Sequence, residues 1–108
     1  MTPKSVFEET LPSRLKTKGD EVLKVNAVYH FIISGTDGGS WFVDTTKSGG
    51  DVGIGENAGA KCTINMTDKD FVDLVSGKLN GQMAFMTGKM KIKGDMSLAM
   101  KLGTVLGL

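Results

Sequence analysis

The sequence predicts an α+β domain in which helices cover one face of a five-stranded sheet. Two kinds of hydrophobic pattern lead to this prediction. Apolar residues recur at helical spacing near the start of the chain, again after Thr67, and from Met96 onward. Between Asn26 and Met66, and once more at residues 89–93, apolar and polar residues alternate, which is the period of a half-buried strand. The predicted order is therefore helix, three-strand meander, strand, helices, strand and helix.

Thr2 and Pro3 predict the first helix, because Thr caps free amide groups and Pro is tolerated at the first helical position. Pro12 lies inside this helix and removes a backbone hydrogen bond, so we expect either a kink near Leu11 or two short helices. The apolar residues that form the buried stripe are Val6, Phe7, Leu11 and Leu15. One further helical turn, at residues 20–24, leads into the sheet.

The first strand places Tyr29, Phe31 and Ile33 on one face and a half-exposed His30 on the other. A glycine-rich stretch at residues 35–39 predicts a hairpin turn to the second strand. The apolar positions of the next three strands are Trp41 and Val43, then Val52 and Ile54, then Cys62, Ile64 and Met66.

Thr67 caps a predicted helix that ends at Gly77, and a short helix follows at residues 82–86. The alternation at residues 89–93 predicts the fifth strand, with lysines on its solvent face. Asp95 then caps a single final helix that is apolar over more than half of its circumference.

Composition excludes several classes of protein. A chain of 108 residues with 40% hydrophobic residues suits one globular domain spanning residues 1–108. The net charge of +1 gives no global field for nucleic acid, so we expect no nucleic-acid partner. No stretch approaches the ~20 apolar residues of a membrane span. The acidic residues Glu8 and Glu9 do not suit a secretory signal, so we expect an intracellular protein and a reduced Cys62.

The sequence offers few parts for catalysis. One histidine and one cysteine cannot complete a structural zinc site, so we expect no metal and no cofactor. Strand alternation places His30 and Cys62 on opposite faces, which disfavours a thiol nucleophile with a histidine base. The glycines at residues 53–58 have the spacing of a dinucleotide-binding loop, but a strand follows where that loop needs a helix. We therefore expect no catalytic residue and no enzyme.

Two features leave alternatives open. Lys89, Lys91 and Lys93 either guard an edge strand against pairing or dock an acidic headgroup or an acyl-CoA phosphate. The late part of the chain also holds more apolar helical surface than one sheet face needs, which indicates plain core, a ligand cavity or a partner interface. Its methionines are Met66, Met83, Met86, Met90, Met96 and Met100.

The chain resembles the sterol carrier protein 2 family of non-specific lipid-transfer domains over nearly its whole length. The most specific resemblance lies at residues 68–71, 76–79 and 84–102, which include Ala-Phe-Met-Thr-Gly-Lys-Met-Lys-Ile-Lys-Gly-Asp-Met-Ser-Leu-Ala-Met-Lys-Leu. The Gly-Gly-Ser-Trp-Phe-Val-Asp segment at residues 38–44 is similar to the domain fused to hydroxysteroid-dehydrogenase-like proteins.

This resemblance implies an apolar tunnel between sheet and helices that binds fatty acids, fatty acyl-CoAs, sterols and phospholipids without catalysis. The candidate lipid-binding residues that it implies are Leu11, Leu15, Phe71, Val75, Phe85, Met86, Met90, Met100, Leu102, Val105 and Leu106. The family assigns membrane docking to the amphipathic first helix, which implies transient contact with anionic membranes. Pro12 departs from an uninterrupted helix at this place.

Three further expectations accompany this assignment. The family implies a peroxisomal location, whereas the last four residues, Val-Leu-Gly-Leu, are not a peroxisomal address, so the cytosol is an alternative. We expect a monomer, with the last helix moving as a lid. The alternative function is a non-catalytic module that docks a partner or a fused dehydrogenase through the Met-rich helical face.

Overall fold

The computed structural model describes residues 1–107 and contains the predicted five-stranded sheet with helices on one face. The strand order is β3-β2-β1-β4-β5. β1 and β4 are parallel, and the other three pairs are antiparallel. The strands are β1 Val28–Ser34, β2 Gly39–Asp44, β3 Asp51–Ile54, β4 Cys62–Thr67 and β5 Lys91–Gly94. Thus β3 and β5 are the two edge strands, and β5 begins two residues later than predicted.

Seven α-helical segments and one π-helical turn lie within residues 1–107. They are α1 Pro3–Ser5, the π turn Val6–Thr10, α2 Leu11–Thr17, α3 Gly19–Val25, α4 Asp68–Val75, α5 Gly81–Met86, α6 Met96–Met100 and α7 Leu102–Val105. None of the helices within residues 1–107 combines the length and the hydrophobicity needed to span a bilayer.

The proline in the first helix is accommodated by the π turn. The N–H of Leu11 donates to the carbonyl of Val6, five residues earlier, and α2 begins at Leu11. Because a proline ring crowds the carbonyl four residues before it, the wider π turn makes room for Pro12 without ending the helical path. The first helix is divided at Leu11, as the sequence predicts, but α1, the π turn and α2 follow one another without a gap.

Two sequence-based expectations about other elements are wrong. The single final helix is two short helices, because the N–H of Lys101 bonds to Leu98 in a tightened turn that ends α6. His30 is only 6% exposed rather than half-exposed. Its Nε2 lies 2.6 Å from the Oγ of Ser40 on the neighbouring strand. This hydrogen bond gives one ring nitrogen of the imidazole a partner on the sheet face that the helices do not cover.

Aromatic rings fill the core between the sheet and the first helical segment. The ring of Phe7 stacks on Trp41 at 4.7 Å and on Phe71 at 5.1 Å between centroids. Phe31 of β1 meets Phe71 edge-on at 5.8 Å. Aromatic pairs of this kind contribute stability beyond that of the apolar area they bury. The stack therefore holds the π turn, β2 and α4 together at the centre of the domain.

Candidate functional site

A cavity of about 590 Å³ lies beside this core, between the last helices and the edge strand β5. This volume is within the range of small-molecule sites. Almost all of its lining is apolar, and among residues 1–107 only Gln82 contributes a polar side chain to it. The lining residues are Leu74, Gly81, Gln82, Phe85, Met90, Ile92, Met96, Ala99, Met100, Leu102, Gly103 and Leu106.

The cavity has a buried floor and an exposed rim. Leu74, Met90 and Leu106 are buried and close its inner end. Phe85 and Met100 line the same space but are exposed, Phe85 by 45% and Met100 by 88%. An apolar group can therefore leave water at the floor while a polar group attached to it stays solvated at the rim.

Short capped helices build the cavity wall. The side chain of Asn80 accepts hydrogen bonds from the N–H groups of Gln82 and Met83 and so begins α5. Asp95 accepts from the N–H of Ser97 at 2.9 Å and begins α6. The cap confirms the predicted helix start. On α6, spacings of three and four residues place Met96, Ala99 and Met100 along the same cavity.

Two long-range hydrogen-bonding side chains attach this wall to the rest of the domain. The hydroxyl of Tyr29 donates to the carbonyl of Leu98 at 2.6 Å in a buried contact. The Nη1 of Arg14 donates to the carbonyls of Val75 at 3.1 Å and Leu106 at 3.0 Å, at the ends of α4 and α7. A cation is favourable beside helix carboxyl ends, so Arg14 joins three helices at one point.

The surroundings of Cys62 keep its thiol protonated and place it away from His30, which does not suit a nucleophile. Burial, reinforced by the Asp95 carboxylate, raises the pKa of the Cys62 thiol to about 11. Burial also raises the pKa of Tyr29 above its ordinary range. Cys62 pairs with Tyr29 across β1 and β4, whereas His30 pairs with Thr63, so His30 and Cys62 lie on opposite sheet faces. Within residues 1–107, no group of three or more His, Cys, Asp or Glu residues is arranged to hold a metal ion.

Five of the eleven candidate lipid-binding residues line the cavity, namely Phe85, Met90, Met100, Leu102 and Leu106. Five others are buried in the core and do not line it: Leu11, Leu15, Phe71, Val75 and Val105. Met86 is 73% exposed and also lies outside the lining. The first helical segment and Phe71 contribute to the aromatic core, which explains why they are not available to the cavity.

Sequence reasoning missed part of the wall. Met96 and Ala99 follow from helical spacing with Met100 and could have been named on that basis. Ile92 faces inward opposite the lysines of β5, as strand alternation indicates. Three lining residues are not apolar side chains and could not be found from hydrophobicity: Gly81, Gln82 and Gly103. Arg14 does not line the cavity, and in the sequence it is indistinguishable from a solvent-exposed residue of an amphipathic helix.

The lysine row lies outside the cavity. Lys91 and Lys93 pair with Asn65 and Thr63 of β4, on the face of the sheet that the helices do not cover. Lys89 precedes the strand and is exposed. Their place on an edge strand agrees with a guard against strand pairing, and none of the three lines the cavity.

Comparison with known proteins identifies relatives of the whole fold. Residues 7–107 match the SCP-2 sterol transfer family. Hydroxysteroid dehydrogenase-like protein 2 from Homo sapiens is 50% identical over 97 residues, which cover 88% of this chain and 23% of that protein. The chain thus spans about a quarter of the length of this relative.

Solved structures give the same result. The apo form of sterol carrier protein 2 from Yarrowia lipolytica superposes with a TM-score of 0.75 at 35% identity, covering 94% of this chain and 84% of that one. The palmitated SCP2L2 from Aedes aegypti superposes with a TM-score of 0.70 at 26% identity, covering 94% and 95%. Sequence and fold agree, and the chain belongs to the SCP-2 sterol transfer family.

Proposed function

We propose that this chain binds amphiphilic lipids one tail at a time, with the tail in the apolar cavity and the polar group at the rim. The observation that carries the proposal is the cavity itself, which combines a volume of about 590 Å³ with a lining whose described residues include one polar side chain, Gln82. The family is described by sterol transfer, and one relative of the same fold is a palmitated protein, which supports a lipid as ligand.

Burial of methylene groups supplies the affinity. Each methylene removed from water contributes roughly 0.8 kcal/mol, so ten contribute about 8 kcal/mol before the cost of association is subtracted. That attraction has no direction, and methionine side chains adapt to irregular shapes. The ligand class is therefore broad: fatty acids, fatty acyl-CoAs, sterols and phospholipids. We propose binding and transfer without catalysis, by a monomer.

The test is a titration of the lipid-stripped protein with a fatty acid whose fluorescence depends on its environment. We expect saturable binding, displacement by sterol or acyl-CoA, and a defined stoichiometry in native mass spectrometry. Met100→Asp, on the rim, should weaken binding. Ile54→Asp is the matched control, since Ile54 is 78% exposed on β3 and lies outside the cavity lining. Equal binding by both variants would contradict the proposal.

A second candidate function is the docking of a partner or a fused dehydrogenase domain. The observation that favours it is the exposure of Met83 and Met86 outside the cavity, in a chain that spans about a quarter of a dehydrogenase-like relative. Size-exclusion chromatography of the chain with such a dehydrogenase domain would show a complex under this alternative. An intracellular, peroxisomal location stays a proposal from the family, and fluorescence microscopy of the full-length protein would test it.

A further inference from the structure

The carboxamide of Gln82 is a polar group at the cavity that has no partner within residues 1–107. Gln82 lies on α5 one helical turn before Phe85, and both side chains line the cavity. The residue is exposed, so it belongs to the rim rather than to the buried floor. Its backbone N–H donates to the side chain of Asn80, but its side-chain amide makes no hydrogen bond to any described residue. The amide is therefore free at the place where the polar end of a ligand is expected.

Neighbouring polar side chains on this wall already have partners. The side chain of Asn80 accepts hydrogen bonds from two N–H groups as the cap of α5. Ser97 donates to Asp95 at 2.6 Å, and the hydroxyl of Thr87 donates to a backbone carbonyl of α5 at 2.7 Å. Gln82 thus differs from them in offering both a donor and an acceptor to a ligand.

Within residues 1–107, no charged side chain lines the cavity. The helices α5, α6 and α7 contain no charged residue, and the lining outside them is apolar. Lys101 falls between α6 and α7, where it is exposed and outside the lining. Lys91 and Lys93 lie on the opposite face of the sheet. The described lining therefore offers no fixed charge that would select a ligand by the sign of its own charge.

We propose that Gln82 holds the polar end of the bound lipid, and that its uncharged amide lets one cavity take hydroxyl, carboxylate and ammonium heads alike. The NH₂ group donates to a carboxylate or a hydroxyl, and the amide oxygen accepts from a hydroxyl or an ammonium group. The terminal torsion of a glutamine is broad, so an exposed amide can turn either end toward the head. The inference rests on the proposed function and names the residue that determines which heads that site accepts.

Three ligands with the same tail test this assignment: dodecanol, dodecanoate and dodecylammonium. At neutral pH the acid and the amine are both ionised. Each is titrated against a fluorescent fatty acid bound to the lipid-stripped protein. We expect the three dissociation constants to lie within about tenfold of one another, because every head finds a hydrogen-bonding partner and stays solvated at the rim.

Gln82→Glu places a negative charge at the head while keeping the size of the side chain. It should bind dodecanoate at least about tenfold more weakly, because like charges would meet, and dodecylammonium about tenfold more tightly. Dodecanol should change by less than about threefold, since a carboxylate still accepts from a hydroxyl. Opposite shifts for the two ions exclude a folding defect, which would weaken the binding of all three ligands.

Met83→Glu is the matched control. It adds the same charge at the next residue of α5, which is exposed and lies outside the lining. Because solvent and salt screen a charge that does not touch the ligand, the ratio of the two ions' dissociation constants should change by less than about threefold. Circular dichroism establishes that both variants are folded.

The outcomes distinguish this assignment from the proposed function. If none of the three ligands displaces the fatty acid from the unaltered protein, lipid binding itself fails, and the role of Gln82 fails with it. If all three bind but Gln82→Glu and Met83→Glu shift the two ions equally, the polar end lies elsewhere, so the assignment of Gln82 is overturned while the cavity stands. Dissociation constants of the unaltered protein that differ by much more than about tenfold would overturn the equal acceptance of heads.

Discussion

Filling the cavity from Gly103 gives the sharpest test of where a ligand binds. Gly103 lies on α7 and lines the cavity, and a Cβ built at this position meets no atom within 4 Å. Its φ is not in the left-handed region, so a leucine fits the backbone. Because glycine is the less favourable residue inside a helix, Gly103→Leu should keep the fold and gain up to about 1 kcal/mol of stability.

The expected loss of affinity follows from the volume that the new side chain occupies. Leucine adds four carbon atoms, and if they exclude four methylenes of a lipid tail, the loss is roughly 3 kcal/mol at about 0.8 kcal/mol each. That loss corresponds to a dissociation constant raised about 200-fold. Fatty acids with shorter tails should lose less affinity, because their tails do not occupy the part of the cavity that the new side chain fills.

Isothermal or fluorescence titration with fatty acids of increasing length measures this effect. Gly19→Leu is the matched control, because Gly19 also has open space at its Cβ and an ordinary φ but lies on α3, outside the cavity lining. A folded Gly103→Leu variant that binds long chains as tightly as the Gly19→Leu variant would refute the placement of the tail in this cavity.

Three further outcomes are expected. Arg14→Ala should lower the free energy of unfolding by roughly 2–3 kcal/mol, since it removes charged hydrogen bonds to Val75 and Leu106, and denaturant titration against the Lys16→Ala control measures the loss. Because burial raises the pKa of Cys62 from 9.0 to about 11, the contribution of this thiol to folding stability is fully present below pH 9 and is lost as the pH rises to about 11. The free energy of unfolding should therefore fall less between pH 9 and pH 11 in Cys62→Ala than in the unaltered protein. An equal fall in both proteins would show that Cys62 is not its cause. Hydrogen peroxide should oxidise Met100 well before Met90, which is 4% exposed, and should weaken lipid binding; peptide mass spectrometry that found equal rates would contradict the assigned burial.

The strands and helix starts could be predicted from the sequence because their causes are local. Alternation placed Tyr29 on the covered face, and Thr67 and Asp95 cap helices as expected. The break of the last helix at Lys101 could not be predicted, since residues 96–102 contain neither glycine nor proline and Gly103 comes only after the tightened turn. The hydrogen bond between His30 and Ser40 joins neighbouring strands, and periodicity within one strand does not reveal such a partner.

The apolar pattern alone left the cavity open as one of three alternatives, and only the family resemblance implied a ligand space. The surplus of apolar helical residues late in the chain is compatible with plain core, a cavity or an interface, and five of the eleven candidates line the cavity. Apolarity alone does not tell Phe71, stacked on Phe7, from Phe85 at the rim, because both occupy apolar positions of amphipathic helices. Which of them meets a ring and which meets a cavity is decided by long-range packing.

The aromatic stack has a consequence for how such domains diversify. Phe7, Trp41 and Phe71 hold the fold together on one side, while the ligand space lies on the other, between short helices beside β5. Substitutions at Ala99 or Gly103 therefore alter the shape offered to a ligand without touching the stack. Under selection for a new ligand, the side chains of the cavity wall can be substituted while the aromatic stack keeps the fold stable. Ligand preference can therefore change faster than the fold.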